Sequence, residues 1–197
     1  NWIFAKAGRD GSGITVTIAK NVTRIPTYLF CPVASSSETP NIVQVIFEEE
    51  SVCESIGRQA FYYCSSLRKI VIPEYTTSID YYTFYNCTNL VTVQIESHTI
   101  AQEITSAASC GFLCQYAETI LIPEKVSTVG AYIVDNFIYE EKMTCDGVRY
   151  TVYSKHAHSW DTGVIVTEPV QCQREGVVAY TCTTCALVKQ EIVSCHT

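Results

Sequence analysis

The sequence predicts an α/β-type repeat solenoid of short parallel strands, followed by a small β-rich module rich in Cys and His. Three observations carry that expectation. A set of apolar positions recurs at a fixed interval of 23 residues. Short alternating apolar runs end on proline. The composition also changes abruptly at His158. Fixed-period recurrence is the usual mark of a chain whose units bury their apolar faces on one another rather than within themselves.

The clearest copies are Ile56-Gly-Arg-Gln-Ala-Phe61-Tyr-Tyr-Cys64-Ser-Ser-Leu67-Arg-Lys-Ile70-Val-Ile72-Pro73 and Ile79-Asp-Tyr-Tyr-Thr-Phe84-Tyr-Asn-Cys87-Thr-Asn-Leu90-Val-Thr-Val93-Gln-Ile95. Ile70 and Ile72 alternate with Lys69 and Val71, so one face of a short strand is buried. Pro73 stops that strand because it has no N–H for a ladder. Ile56, Ala60, Phe61, Cys64 and Leu67 are spaced near four, which predicts a helical turn or two on the return path.

Weaker copies flank this pair. Val16 leads to Ile25 in nine residues, as Ile70 leads to Ile79, and Phe30 then falls where Phe61 does. Ile120 leads to Val129 by the same step, whereas Val45 to Ile56 and Val93 to Ile104 each take eleven. Residues 32–40 read as a loop insertion. About five turns follow, over residues 13–138. The domain reading is a solenoid over 1–138, a capping hairpin and linker over 139–157 with an Asp146-Gly147 turn, and a module over 158–197.

The pattern resembles the BspA-like (Treponema pallidum-type) leucine-rich repeats, on Ile56, Gly57, Ala60, Phe61, Cys64, Leu67, Ile70, Ile72 and Pro73. The second copy departs from it at Asp80 and Thr83. The resemblance implies a right-handed solenoid and a secreted or cell-surface protein, often tied to adhesion, with no particular ligand. Outward strand positions then line a concave face in two columns. One is Thr15, Gln44, Lys69, Thr92 and Thr119, and the other is Thr17, Ile46, Val71, Gln94 and Leu121. That face suits an extended protein or glycan ligand, or another protomer in a fibre or surface layer. β-Branched residues also simply suit strands.

The tail, with His158-Ser-Trp160, Cys172, Tyr180-Thr-Cys182-Thr-Thr-Cys185 and Cys195-His196, resembles a small Cys/His repeat at the ends of Bacillota surface proteins. It departs at Val170-Gln171 and at Cys195. Two thiolates at Cys182 and Cys185 can share one metal ion, with His158 and His196 completing a tetrahedral structural zinc site. Disulfides among Cys172, Cys182, Cys185 and Cys195 are the competing reading, or a Cys172–Cys195 bridge beside zinc. A redox Cys-x-x-Cys is the third, and no βαβ context supports it. His156 is a spare candidate ligand, although a lone linker histidine reads first as solvated.

Eleven cysteines point to an oxidising compartment or a metal site, and Cys64 and Cys87, at one repeat position, to core packing. A net charge of −7 argues against nucleic acid as a partner, and no apolar run is long enough to span a bilayer. No nucleophile–base pair stands out, so the expectation is a binding or structural module and not an enzyme. Asn21-Val-Thr23 and Asn86-Cys-Thr88 are formal N-glycosylation sequons.

Overall fold

Every apolar strand expected from the repeat is present in the computed structural model, which describes residues 7–8, 10–31, 40–106, 113, 115–145, 147–167 and 176–193. The main ladder is formed by β1 (Ile14–Ile18), β3 (Ile42–Phe47), β5 (Lys69–Ile72), β7 (Thr92–Ile95) and β8 (Thr119–Pro123). β1 pairs with β3, and β5 with β7 and then β8, all parallel. A second wall consists of β2 (Arg24–Ile25), β4 (Ser55–Ile56) and β6 (Ser78–Ile79), where Ile25, Ile56 and Ile79 stand in register. About three turns thus have both walls built from strands. The last two carry short helices after the ladder strand instead, α1 (His98–Glu103) after β7 and α2 (Ala131–Asn136) after β8.

Between the walls lies a continuous core. Ile42, Ile56, Phe61, Leu67, Ile70, Ile72, Val93, Ile95 and Ile120 are almost fully buried. Phe30, Phe61 and Phe84 stack one turn above another, with centroids 5.1 and 5.3 Å apart. Each turn therefore covers the aromatic ring of the one before, and no single turn could do this alone.

The helical return path expected from the spacing near four is not what forms. Residues 57–68 run as successive turns, with Ala60 N–H donating to Gly57 O, Tyr62 to Gln59, Cys64 to Phe61 and Leu67 to Cys64. Gln59, Tyr63, Tyr82 and Asn86 take left-handed backbone (φ 55°, 61°, 60° and 58°), at the same two repeat positions. This alternation frees every second N–H for the neighbouring turn: Gln59 donates to Tyr81 O, Phe61 to Thr83 O and Tyr63 to Tyr85 O. A helix would spend those donors within one turn, so cohesion between turns overrides the local spacing.

Beyond the repeats, β9 (Tyr139–Cys145) and β10 (Val148–Ser154) form an antiparallel hairpin, and β10 adds antiparallel to β8. This covers what would be the open edge of the last ladder strand. Gly147, in the turn, has φ 77°; Asp146 lies outside the described residues. A three-stranded antiparallel sheet follows, with β11 (Val164–Thr167), β12 (Gly176–Thr181) and β13 (Val188–Val193). The insertion expected at 32–40 lies, but for Pro40, outside the described residues.

Candidate metal centre and the ladder face

β10 runs straight into Lys155-His156-Ala157-His158, and Trp160 then bridges antiparallel to Cys182. Cys182 to Cys185 form a knuckle just before β13. The Cys182 N–H donates to Leu187 O, and the Ala186 N–H to Cys182 O, with Ala186 in left-handed backbone at φ 58°. The knuckle brings both sulfurs to the two histidines. One donor atom each from His156, His158, Cys182 and Cys185 lies within 4.8 Å of the others.

Donor chemistry and geometry both fit a zinc ion. Two thiols and two imidazoles make a Cys2His2 set, and bonds of about 2.0–2.3 Å give a tetrahedron with edges of about 3.3–3.8 Å. The group needs only to close by about an ångström to match it. The orientation of the His158 ring is set from behind. His158 Nδ1 pairs with a Glu141 carboxylate oxygen on β9, which leaves Nε2 for the ion. His156 turns Nε2 to the Cys182 sulfur at 3.9 Å and Nδ1 toward Glu118, also at 3.9 Å. The His158 side chain is only 2% exposed, yet its Nε2 has no hydrogen-bond partner. A buried orphan nitrogen is costly unless something accepts its lone pair.

Burial opposes the Cys182 thiolate. The backbone N–H groups of Cys185 and Thr184, the His156 ring and the Ser159 backbone outweigh that and bring its pKa down to about 6. Burial pushes the Cys185 thiol up, and the neighbouring Cys182 sulfur adds to the rise. Thr119 on β8 works the other way, favouring the Cys185 thiolate. Its hydroxyl falls short of full hydrogen-bond geometry to any partner.

All four residues were legible in the chain, His156 only as a spare ligand set aside as a linker histidine. It is half-buried, not a solvated linker residue. Its signal was the His-x-His spacing on an extended segment, since residues i and i+2 there point to one side. His196, the sequence-based fourth ligand, and Cys172 and Cys195, the candidate bridge, lie outside the described residues.

The ladder aligns the two expected columns in register wherever its strands pair: Thr15 with Gln44, Thr17 with Ile46, Lys69 with Thr92 and Thr119, Val71 with Gln94 and Leu121. The columns are not uniformly open. Thr15, Thr17, Gln44, Ile46 and Lys69 are exposed and Val71 half-buried, whereas Thr92, Thr119 and Leu121 are buried. Leu121 packs in a second core with Met143, Tyr150, Val152, Cys182, Cys185 and Leu187. The knuckle therefore sits on the outer face of the last ladder strand, and Gln94 is held by Glu96 and Tyr150. A groove of about 490 Å³ remains where ladder meets knuckle, lined by Lys69, Thr92, Leu121, Leu187, Val188 and Gln190 among others.

Of the two sequon asparagines, Asn21 is exposed in a turn. Asn86 is half-buried and accepts from the Tyr116 hydroxyl, so its turn conformation gives it a structural use. Among the described residues no helix is long and apolar enough to cross a membrane.

A family model described as BspA type leucine rich repeat region matches residues 37–148, in six copies. That is more than half of the chain, and residues 158–197 fall outside it. Neither a curated protein nor a solved structure matches.

Proposed function

Because this chain belongs to the BspA-type leucine-rich-repeat family, we propose that it is an extracellular or cell-surface binding module, not a catalyst. Its ligand is an extended protein segment or glycan chain lying across β1, β3 and β5. The observation that supports this reading most is the open half of the ladder face. Thr15, Thr17 and Gln44 offer hydroxyl and amide groups there, Ile46 and Val71 an apolar strip, and Lys69 the one charge in the two columns. Weak charge with regularly spaced polar groups suits a repetitive, uncharged chain. In this reading residues 1–138 bind, 139–157 cap the solenoid, and 158–197 form a module seated on its end.

The test is a screen of peptide and glycan arrays, followed by the double variant I46D/V71D. Loss of at least tenfold in affinity for whatever the parent protein captures supports the reading. Unchanged binding in I46D/V71D, with loss in a control such as I192D on β13, overturns it.

We read the His156, His158, Cys182 and Cys185 group as a structural zinc centre, with all four positions taken by protein and none left for chemistry. It gives a small sheet the cohesion that so short a segment lacks from burial alone.

A second reading, self-assembly into a fibre or layer, is favoured by β11. It is an edge strand on which Val164, Ile165 and Val166 are all exposed. Size measurement across a concentration series separates the two. A protein that stays monomeric excludes assembly, and one that grows into polymers favours it.

A further inference from the structure

Among the described residues three buried side-chain polar atoms lack a hydrogen-bond partner: Thr119 Oγ1, His156 Nδ1 and His158 Nε2. All three belong to the same small volume. His158 Nε2 faces the place an ion would take. The other two belong to neighbours of the ligand atoms: His156 Nδ1 is the far nitrogen of a ring whose Nε2 turns to Cys182, and the Thr119 hydroxyl is close enough to the Cys185 sulfur to favour its thiolate. The groups behind the ligands do not come from the C-terminal module. Glu118 adjoins β8, Thr119 opens it, and Glu141 lies on β9.

Resting on the zinc reading above, we propose that the repeat body and its capping hairpin supply the outer ring of groups that position the metal ligands, Glu141 for His158 and Thr119 for Cys185, so that zinc binding and the seating of the module on the ladder are one linked equilibrium. A carboxylate behind a ligating imidazole fixes its tautomer and raises its basicity. A hydroxyl behind a thiolate donates to it once the metal has removed the thiol proton. Each group acts at full strength only when the knuckle rests on β8 and β9. By linkage, zinc then favours the seated state by the factor that seating favours zinc. The metal is thus a clasp, and it determines whether Thr92, Thr119 and Leu121 of the ladder are covered.

The experiment uses the full chain. Zinc affinity is measured by competition with a chromogenic chelator in the parent and in E141Q, T119V and the control E140Q. Cobalt(II) replaces zinc for spectroscopy. Affinity is expected to fall about 10- to 100-fold in E141Q and T119V and to hold in E140Q. The thiolate-to-cobalt bands at saturation should match the parent, since all four ligands remain. The unfolding midpoint of the chelated protein should also be unchanged in E141Q, which a purely structural role for Glu141 would lower. Hydrogen exchange at residues 182–188 should rise on chelation. Parent-like zinc affinity in both variants, or exchange that ignores chelation, overturns the linkage while leaving the zinc reading intact. A parent protein that binds no zinc overturns the zinc reading itself.

Discussion

At Gly57 the backbone of one turn passes against the next so closely that a β-carbon would lie 2.6 Å from Thr27 N and 2.9 Å from Ile25 O. These are backbone atoms, so no side chain can swing aside. Gly57→Ala should cost about 1–3 kcal/mol, read as a lower urea midpoint with an unchanged slope. The glycine stood in the repeat pattern, so its position was legible, though the neighbour it touches was not. Cys64 and Cys87 were also legible as core from their shared repeat position. Burial pushes both thiols up, Cys87 to about 12. A thiol whose pKa is higher folded than unfolded stabilises the fold while it stays protonated. The Cys87 contribution is therefore complete below pH 9 and is lost as the pH rises from 9 toward 12. Mapping by alkylation at pH 8 should leave both thiols unmodified in the native protein and label them after unfolding. Labelling of either at the rate of an exposed cysteine would contradict their place in the core. The left-handed residues Gln59, Tyr63 and Tyr82 were not legible, because Gln and Tyr carry no turn signal; only Asn86 among them does.

Among the elements, the strands read true and the return path did not. Period-two alternation reports burial of one face directly, and nothing else competes for a ladder strand. On the return path the spacing near four reported burial correctly. Ile56, Ala60, Phe61, Cys64 and Leu67 are all interior, but a run of turns delivers the same residues inward as a helix would. Phe61 ties this element to both neighbours, stacked between Phe30 and Phe84. Phe61→Ala should cost about 3–5 kcal/mol, at the upper end because the two rings hold the cavity open. Thermal or urea unfolding measures it, and a loss below about 1 kcal/mol would mean that the stack does not hold the turns together. At the knuckle, the Asp161 carboxylate accepts from the Thr181 and Gly163 N–H groups, and these bonds hold its pKa below the usual carboxylate value. The stabilisation is present above that value and lost as the pH falls through the folded pKa.

In the whole molecule, the covering of the ladder is a contact between segments far apart in the chain, Leu121 with Leu187 and the two cysteines. No local pattern announces it. Leu121 looked like one more outward residue of an open column, and the same contact hides Thr92 and Thr119. The Cys-x-x-Cys and the His-x-Trp were legible as metal-type chemistry, because spacing alone brings two sulfurs together. What the spacing cannot convey is which solenoid residues stand behind them. With the two proposals above, the ladder is half open, where a ligand would lie, and half closed by a knuckle that zinc would hold.

Hydroxyl-radical footprinting of the zinc-loaded full chain, read residue by residue by mass spectrometry, tests that picture most directly. Ile46 and Val71 should oxidise readily, while Leu121, Leu187 and Met143, the only methionine in the chain, stay protected until a chelator is added. Oxidation of Met143 and Leu121 as fast as Ile46 with zinc bound would contradict it.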